Sequence, residues 1–402
     1  MKAGWQTRKL GDICSFENGD RGENYPSKSI QTTSGVPFIN AGHLTDFGID
    51  LETMNYIPRE RFNLLGNGKI RKNDILFCLR GSLGKFASVG DLSEGAIASS
   101  LVIVRPRESV LHNFVSAYFQ SDLCSEMIWK FKNGAAQPNL SAASLKSFFI
   151  PIPPLPEQHR IVNILDEAFE GIVTAKTNAE RNLKNAKALF ESHLQSVFSR
   201  QGEGWVEKAL GDLYQIGSSK RVLKSQWKGA GVPFYRGREV TRISTDGIVD
   251  NELFISEDHY AELASKYGVP KVGDIVITAI GTIGNSHIVR ENDKFYFKDA
   301  SVLWMKRTAD VSSEFINFWL KSPLFFDQLD RDNGATVDTL TIRKLQSVRL
   351  HLPSTSDQIT IANILGAIRS ETQRLEYIYQ QKLTALDDLK KSLLHQAFNG
   401  EL

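Results

Sequence analysis

The feature that most constrains the fold is an internal repeat that spans half of the chain. Trp5 and Leu10-Gly11-Asp12 recur as Trp205 and Leu210-Gly211-Asp212, an offset of 200 residues. The same offset relates Asp74-Ile75 to Asp274-Ile275, Gly81-Ser82-Leu83-Gly84 to Gly281-Thr282-Ile283-Gly284, Gln158 to Gln358, and Phe198 to Phe398. A repeat of this length must be recognised before local patterns are interpreted, because it determines how many copies of one fold the chain contains. The repeat predicts two copies of one unit, each a mixed domain followed by a long helix.

Length and composition agree with a multidomain globular protein. The chain has 402 residues, of which 41% are hydrophobic and 23% are charged, and this length favours two or more domains. No apolar stretch reaches the roughly 18 residues of a membrane span, and the first residues lack the apolar core of a signal peptide. Cys14, Cys78 and Cys124 are widely separated, so we expect neither a zinc site nor a disulfide framework. A reducing cytoplasm is the expected location.

Strand patterns precede helical patterns within each copy, which predicts an α+β (mixed α/β) fold. Short β runs are expected at 36–40, 75–79, 97–104, 232–236, 274–280 and 301–305. Helical spacing of apolar residues is expected at 112–131 and 313–330. The aromatic stripes on these helices are expected to pack in the core; they consist of Phe114, Tyr118, Phe119, Phe315, Phe318 and Trp319.

A long helix is predicted at the end of each copy. Residues 157–198 contain no proline and follow a proline-rich entry, while the second helix follows Pro353 with Ser356 or Asp357 as the candidate N-cap. A helix of this size is about 60 Å long. A 4-3 spacing of apolar residues predicts a coiled-coil seam. Its members are Ile161, Leu165, Ile172 and Leu189 in the first helix and Ile361, Leu365, Ile368, Leu375, Leu386 and Leu393 in the second.

The two seams complement each other, because the first is rich in alanine and the second in leucine. Small residues facing large ones allow two helices to interdigitate closely. We therefore expect the helices to pair within one chain, in a parallel or an antiparallel sense. Antiparallel pairing would relate the two copies by a pseudo-twofold axis, with the domains at opposite ends. Intermolecular pairing in a dimer is the alternative.

Motifs for catalysis are missing from the sequence. There is no GxxxxGK[ST] phosphate loop, no GxSxG or HExxH, and neither the cofactor loop nor the Asn/Asp-Pro-Pro-aromatic site of a DNA methyltransferase. The loop Gly81-Ser82-Leu83-Gly84 keeps its glycines in the second copy. We interpret it as a turn framework, with a contact to backbone phosphate as the alternative. The sequence predicts a protein that is not an enzyme and that binds no metal or cofactor.

Local basic segments indicate nucleic-acid binding, although the net charge is only +2. Lysine and arginine supply phosphate affinity, and polar side chains read base edges; a solvated charged face is the alternative. The candidates in the first copy are Arg21, Lys28, Asn40, His43, Arg59, Arg61, Lys69, Arg71, Arg80, Ser82 and Lys85. Those in the second copy are Lys220, Arg221, Lys224, Lys228, Tyr235, Arg236, Arg238, Arg242 and Asn285.

Differences between the copies indicate where the two units could read different sequences. Segments 18–35 and 217–231 are almost unrelated, and so are 40–68 and 236–267. Positions at which the copies agree are expected to hold the fold. We therefore predict that these four segments contain the recognition loops.

The combined pattern resembles the specificity subunits of type I restriction–modification systems. The resemblance covers essentially the whole chain and includes Gly35-Val36-Pro37-Phe38 and Asn73-Asp74-Ile75-Leu76. Its most specific part is the entry Pro151-Ile152-Pro153-Pro154-Leu155-Pro156-Glu157-Gln158, which continues to Ile161. The second copy departs from this pattern at Leu352-Pro353-Ser354-Thr355-Ser356-Asp357, but it retains Gln358 and Ile361.

The resemblance implies target-recognition domains at 1–155 and 201–355. It also implies spacer helices at 156–200 and 356–402 that form an antiparallel intramolecular coiled coil. It implies a bipartite double-stranded DNA target, two docked methyltransferase subunits and restriction/translocase subunits. S-adenosylmethionine and ATP with Mg²⁺ would be used by those partners. One alternative is a specificity subunit that serves a fused, type II-like restriction–methylation enzyme, and another is a coiled-coil scaffold without a DNA role.

Overall fold

The computed structural model describes residues 4–46, 48–134, 138–200, 202–330 and 339–402. The chain divides into two compact units. The first unit comprises residues 1–179 and 381–402, and the second comprises residues 180–380. Among the helices of the described ranges, none has the combination of length and apolar character that crossing a membrane requires.

The first unit is built mainly from short strands followed by helices. Its strands are β1 (Gln6–Lys9), β2 (Cys14–Asn18), β3 (Val36–Ile39), β4 (Leu44–Thr45), β5 (Gly48–Ile49), β6 (Asn55–Ile57), β7 (Ile75–Cys78), β8 (Phe86–Ser88), β9 (Ala96–Ile97), β10 (Leu101–Pro106) and β11 (Phe149–Ile152). Its helices are α1 (Leu10–Ile13), α2 (Arg59–Leu64), α3 (His112–Gln120), α4 (Asp122–Phe131), α5 (Ala142–Lys146) and the start of α6 (Leu155–Ser199). Two 3-10 helices lie at Lys28–Ile30 and Ala41–His43.

The central sheet of the first unit is covered on both faces. It is an antiparallel sheet with strand order β2-β10-β7-β8, beside a smaller sheet with order β6-β3-β9. Ile75 and Phe77 of β7 lie in the cluster formed with α3 and α4. The alternate residues Leu76 and Cys78 lie in a second cluster on the opposite face. Burial on both faces explains why β7 is a continuous apolar run instead of an alternating one.

The second unit repeats this order of elements. Its strands are β12 (Val206–Ala209), β13 (Tyr214–Ser218), β14 (Val232–Tyr235), β15 (Phe254–Ile255), β16 (Ile275–Thr278), β17 (Ser286–Ile288), β18 (Tyr296–Phe297), β19 (Val302–Arg307) and β20 (Arg349–Leu352). Its helices are α7 (Leu210–Leu213), α8 (Gly237–Asp246), α9 (Glu257–Tyr267), α10 (Ser313–Leu320), α11 (Pro323–Asp330), α12 (Ile342–Ser347) and most of α13 (Thr355–Asn399), with a 3-10 helix at Lys224–Gln226.

Both units have the same sheet topology. The second unit has sheets with orders β13-β19-β16-β17 and β15-β14-β18, and β12 pairs with β20 as β1 pairs with β11. The predicted α+β fold in two repeated units is therefore confirmed. The units differ after β3 and β14, where the first forms a 3-10 helix and the β4–β5 hairpin and the second forms the helix α8.

The segments predicted to have helical spacing, 112–131 and 313–330, are helical, and each contains two helices. In the first unit, the Ser121 hydroxyl accepts a hydrogen bond from the Cys124 N–H at 3.4 Å and caps α4. In the second unit, Pro323 occupies the first position of α11, where its missing N–H costs nothing. The capping serine and the proline thus end one helix and begin the next. The aromatic residues are in the core as predicted, except that Phe318 is only half-buried.

The two long helices contain 45 residues each. The N-cap of α13 differs from the prediction of Ser356 or Asp357. Its cap is Ser354, whose hydroxyl accepts from the Asp357 N–H at 3.2 Å and lies 2.8 Å from the Asp357 carboxylate. The Ser354 hydroxyl thus satisfies one of the backbone donors that the first turn leaves open, and its own proton goes to the Asp357 carboxylate.

A buried glutamine fixes the start of each long helix. In the first unit, Gln158 Oε1 accepts from the Leu111 N–H at 2.9 Å, and Nε2 donates to the Pro153 carbonyl at 2.9 Å. In the second, Gln358 Oε1 accepts from the Ser312 N–H at 3.0 Å, and Nε2 donates to the Pro353 carbonyl at 3.0 Å. The amide therefore links the proline entry to the loop before α3 or α10. This contact explains why both copies keep glutamine.

Within the first unit, the segments of α6 and α13 run antiparallel. Ile161 near the start of α6 shares a buried cluster with Phe398 near the end of α13. Farther along α6, Lys176 Nζ lies 2.7 Å from the Asp387 carboxylate. Residue numbers thus rise along one helix as they fall along the other.

The second unit shows the same antiparallel sense. Phe198 at the end of α6 shares a cluster with Ala362 near the start of α13. Earlier in α6, the Phe190 ring lies under the guanidinium of Arg369 at 5.0 Å from the ring centroid. Both units therefore show pairing within one chain, as expected from the complementary seams.

The predicted seam fails at Leu189, which is 47% exposed. The buried face continues instead at Phe190 and Leu194. A straight α-helix drifts by about 20° per heptad, so four heptads after Ile161 the drift approaches the roughly 100° between consecutive residues. The seam must therefore move by one position. Of the other seam residues, Ile161, Leu165, Ile172 and Leu365 are buried, and Ile361, Ile368, Leu375, Leu386 and Leu393 are half-buried.

Glycines inside the long helices offer a stabilising substitution. A Cβ added at Gly171 in α6 or Gly366 in α13 would meet no atom within 4 Å. Because glycine in a helix interior costs about 0.5–1 kcal/mol relative to alanine, we expect Gly171→Ala and Gly366→Ala each to raise the free energy of unfolding by that amount. Denaturant titration of each variant measures the change.

The control substitution for this prediction is Gly84→Ala. Gly84 has φ +84°, and a Cβ there would lie 2.9 Å from Ile128 Cδ1, so this variant should be less stable than the parent. A loss of stability in Gly171→Ala or Gly366→Ala would contradict the prediction.

Candidate nucleic-acid interface

In each unit, two parallel strands end side by side at one edge of the smaller sheet. In the first unit, Ile39 of β3 pairs with Ile97 of β9. In the second, Tyr235 of β14 pairs with Phe297 of β18. Polar residues that follow these strands therefore gather at the same place. We call this place the exit edge; it comprises residues 40–43 and 98–100 in the first unit and 236–242 and 298–301 in the second.

A glycine hairpin lies beside each exit edge. In the first unit, the Cys78 N–H donates to the Lys85 carbonyl at 2.8 Å, and Lys85 Nζ donates to the carbonyl of Ala41, in the exit edge, at 3.4 Å. The hairpin glycines Gly81 and Gly84 have φ of +79° and +84°, which L side chains rarely adopt. Arg80 and Ser82 are exposed on this hairpin.

The second unit repeats the hairpin with the same hydrogen bonds. The Thr278 N–H donates to the Asn285 carbonyl at 2.9 Å, and the Gly284 N–H donates to the Thr278 carbonyl at 3.1 Å. A Cβ at Gly237, at the start of α8, would lie 3.7 Å from the Ile280 carbonyl oxygen. The hairpin is thus a turn framework common to both units, as interpreted from the sequence.

Two residues predicted to bind DNA are buried. His43 is 4% exposed, and its Nδ1 accepts from the Asn40 N–H at 3.2 Å. Burial lowers the pKa of His43, so the ring is uncharged at neutral pH. Tyr235 is 7% exposed and stacks on Phe295 with ring centroids 4.4 Å apart. Their prediction as surface ligands is wrong, because neither the loop position of His43 nor the basic segment around Tyr235 gave information about burial.

The predicted ligand Asn40 also has a structural role. Its side-chain oxygen accepts from the Gly42 N–H at 2.7 Å and caps the 3-10 helix Ala41–His43. Asn285 in the second unit donates from Nδ2 to the Thr241 hydroxyl at 3.2 Å. Both amides therefore hold an element of the exit edge in position.

The start of α8 is held by a buried carboxylate. Glu239 is 1% exposed, and it accepts from the guanidinium groups of Arg236 at 2.8 Å and Arg238 at 2.9 Å. Arg238 also donates to Glu252 at 2.9 Å. Burial alone would raise the pKa of the Glu239 carboxyl group. The hydrogen bonds from Arg236 and Arg238 have the larger combined effect, so the pKa of Glu239 is lowered. These two arginines are therefore engaged by acids.

A groove of about 510 Å³ separates α8 from the hairpin. Its lining consists of Gly237, Arg238, Thr241, Arg242, Ile280, Thr282 and Ser301. Arg242 is exposed, and its guanidinium has no hydrogen-bonding or ionic partner among the residues that the structure describes. Because an unpartnered guanidinium remains available to an anion or a base edge, Arg242 differs from Arg236 and Arg238.

Two candidate arginines occupy equivalent positions beside the exit edges. Arg21 donates to the Ser99 carbonyl at 3.2 Å, and Arg221 donates to the Asp299 carboxylate at 2.9 Å. Each bond ties the exit of β2 or β13 to the loop before β10 or β19. Agreement between the copies indicates a framework role for both arginines.

The remaining candidates have other partners or are exposed to solvent. Arg59 forms a two-pronged pair with Glu94, at 2.6 Å for one of the bonds. Arg61 donates to Asn24 at 3.2 Å, and Lys69 donates to the Asn63 carbonyl at 3.3 Å. Arg71, Lys28, Lys224 and Lys228 are exposed. Lys228 pairs through its backbone with Phe254, beside the amino end of β14, which is the end opposite the exit edge.

Sequence reasoning missed Lys298. It follows β18, its N–H donates to the Tyr235 carbonyl at 2.8 Å, and its side chain is exposed. Lys298 stands outside the basic runs, and only the pairing of β18 with β14 brings it to the exit edge. The described residues contain no group of three or more His, Cys, Asp or Glu side chains that could hold a metal ion.

Comparison with known proteins identifies the family. The model of the type I restriction modification DNA specificity domain matches residues 2–183 and again residues 202–384. The chain belongs to this family. It is therefore a DNA-specificity subunit, which is a recognition subunit and not a catalytic one.

Two named relatives cover nearly the whole chain. A putative type I restriction enzyme specificity subunit of Haemophilus influenzae, S.HindORF215P, is 25% identical over 92% of this chain and 88% of its own length. The EcoKI specificity subunit of Escherichia coli is 23% identical over 100% of this chain and 90% of its own length.

Solved structures share the fold. A chain from a study of complex assembly and conformational transition of the type I R-M system has a TM-score of 0.79 at 19% identity, with coverage of 100% of this chain and 99% of that one. The HsdS subunit of Thermoanaerobacter tengcongensis has a TM-score of 0.61 at 19% identity, with coverage of 100% and 98%. At this identity the likeness concerns the fold alone.

Proposed function

We propose that each unit reads one half of a bipartite DNA target through its exit edge and the adjoining hairpin. The observation that carries the proposal is that the two units share a framework but differ in the elements at their exit edges. Sheet order and hairpin hydrogen bonds agree between the units, whereas the 3-10 helix Ala41–His43 of one unit is replaced by α8 in the other. A common framework favours the same approach to the duplex, and different side chains at base edges favour different half-sites.

The long helices are proposed to set the distance between the half-sites and to dock two methyltransferase subunits. At about 1.5 Å per residue, 45 residues span close to 70 Å, which is the length of about two turns of DNA. Several large apolar residues are exposed on these helices, as expected for a surface that a partner covers. They are Val173, Leu189, Ile359, Ile364, Tyr377, Ile378 and Leu389.

The other partners follow from the same assignment. Restriction/translocase subunits would join the complex for cleavage, and S-adenosylmethionine and ATP with Mg²⁺ would be bound by the partners. The two relatives described above are named as subunits of type I enzymes. Their names favour a type I complex over one in which this chain is the specificity subunit of a fused, type II-like enzyme. A scaffold without a DNA role does not account for the match to a DNA-specificity family.

The test is a genome-wide map of methylated adenine. The chain is co-expressed with the methyltransferase encoded beside it, in a host without other adenine methylation. We expect one two-part motif with a constant gap. A folded complex that methylates no such motif would contradict the proposal.

Domain exchange tests whether the two readers are independent. Replacing residues 1–155 with the corresponding domain of another type I specificity subunit should change one half of the motif and leave the other half and the gap intact. The reciprocal exchange of residues 201–355 is the matched control and should change the other half only. A single exchange that altered both halves would show that the two units do not read separately.

A further inference from the structure

Helix α8 carries a continuous exposed stripe. Arg238, Arg242 and Thr245 are exposed, while Val240 is buried and Ser244 is half-buried. Residues separated by three or four positions lie on one face of a helix. The three exposed side chains therefore form one row, directed away from the sheet that α8 covers.

The inner face of α8 is fixed to the framework. The helix contacts β16 and β17, and the Thr241 hydroxyl accepts from Asn285. Near its end, the Ser244 carbonyl accepts from Lys321 Nζ at 3.4 Å. Gly247 ends the helix with φ +75°, and its N–H donates to the Ile243 carbonyl at 3.1 Å. A helix anchored along its length holds its exposed row in one position, which lowers the cost of binding.

We infer that α8 enters the major groove of the half-site read by the second unit, and that Arg242 and Thr245 contact base edges there. This inference rests on the proposed function and names the element and the groove. A helix about 10–12 Å in diameter fits a major groove about 12 Å wide. Arginine can donate two hydrogen bonds to guanine. The Thr245 hydroxyl donates to the carbonyls of Thr241 at 3.1 Å and Arg242 at 3.3 Å, so its methyl group is the part that can contact a thymine methyl group.

The basic side chains at this exit edge have different proposed roles. Arg238 begins the row, but its guanidinium donates to Glu239 and Glu252, so we assign it to positioning. Lys298 is exposed at the same edge and would contact backbone phosphate, which fixes the register of a reader without specifying sequence. Arg242 is thus the arginine of the row whose guanidinium is free to read a base.

Over the residues that the structure describes, the first unit has no helix equivalent to α8, so we expect it to contact its half-site through other elements. In the position of α8 it has the 3-10 helix Ala41–His43 and the β4–β5 hairpin. Three residues of 3-10 helix present no row of side chains at helical spacing. Arg80 and Ser82 of its hairpin remain exposed and are the candidates for contacts in that half-site.

The test uses the complex of the full chain with its methyltransferase subunit. Arg242→Ala should relax one position of the second half-site in the methylation map and leave the first half-site unchanged. Binding to the parental target should weaken by roughly 5- to 150-fold, the range for loss of one base contact. Lys208→Ala and Lys271→Ala remove the same charge from exposed positions of the same unit and should leave the motif unchanged.

The outcomes separate this inference from the function on which it rests. If the parental complex methylates a bipartite motif and Arg242→Ala methylates the same motif with parental affinity, α8 is not the reader and the bipartite function stands. If Arg242→Ala weakens binding to all sequences equally and lowers the salt dependence by about one phosphate contact, Arg242 contacts the backbone and the base-reading assignment is overturned. If the parental complex methylates no two-part motif, the proposed function itself fails.

A modified duplex tests the groove directly. Replacing the purines of the second half-site with 7-deazapurines removes N7 acceptors, which face the major groove. The modification should weaken binding of the parental complex and have less effect on Arg242→Ala. Equal losses in both proteins, or no loss in either, would overturn the placement of Arg242 in the major groove.

Discussion

Phe398→Ala is expected to lower the free energy of unfolding of the first unit by about 3–5 kcal/mol, the range for removing a large buried aromatic side chain. Phe398 is 2% exposed and lies near the end of α13. Its ring centroid is 5.1 Å from that of Phe114 and 5.8 Å from that of Tyr118, both on α3. The substitution therefore removes the contacts that fasten the end of the chain to a domain more than 270 positions earlier.

The experiment compares three variants by denaturant titration and by hydrogen exchange in α3. Leu389→Ala is the control on the same helix; because Leu389 is 47% exposed, its change should stay near 0.5 kcal/mol. Phe198→Ala is the matched variant in the second unit, where the Phe198 and Phe315 centroids are 5.2 Å apart. It should destabilise α10 while leaving exchange in α3 unchanged. Equal small effects of Phe398→Ala and Leu389→Ala would show that the end of α13 is not docked in solution.

The repeat made most of the fold predictable. Because Asp74-Ile75 and Gly81 recur at a constant offset, one assignment of strands served both units, and the observed sheets agree. The sequence was less informative where a small change in helix geometry, or a single capping residue, decides the structure. The seam at Leu189 failed because the drift of a straight helix accumulates over several turns. The helical spacing over 112–131 does not show the break at Ser121, because a serine that caps a helix has the same identity as one inside it.

The site was less predictable than the fold. Lysine and arginine runs located the second unit's basic segment, but sequence order does not show which acids fold back onto it. Glu252 reaches Arg238 across 14 positions, and Glu239 is buried beneath two guanidinium groups. Lys298 joins the same edge only through the parallel pairing of β14 with β18. Tertiary contacts therefore decide which arginine is free.

Gln158→Met should also have a large effect, because it removes an amide that serves three backbone groups. Its oxygen accepts from the Leu111 N–H, and its nitrogen donates to the Pro153 carbonyl and, at 3.2 Å, to the Ser109 carbonyl. The Gln158 side chain is fully buried, so water cannot readily replace these bonds. Each buried polar group left without a partner costs about 1–3 kcal/mol, and we expect a loss of about 2–5 kcal/mol in the first unit.

Methionine preserves the length and most of the volume of glutamine, so the variant isolates the hydrogen bonds from the packing. Gln358→Met is the matched change in the second unit, where the amide bonds Ser312 and Pro353. Gln373→Met, at an exposed position of α13, controls for the change of side-chain type and should be nearly neutral. If Gln158→Met were as stable as Gln373→Met under thermal and denaturant unfolding, the glutamine kept in both copies would not be holding the helix entry. Its retention would then have to arise from contacts with the partner subunits instead of from the fold of this chain.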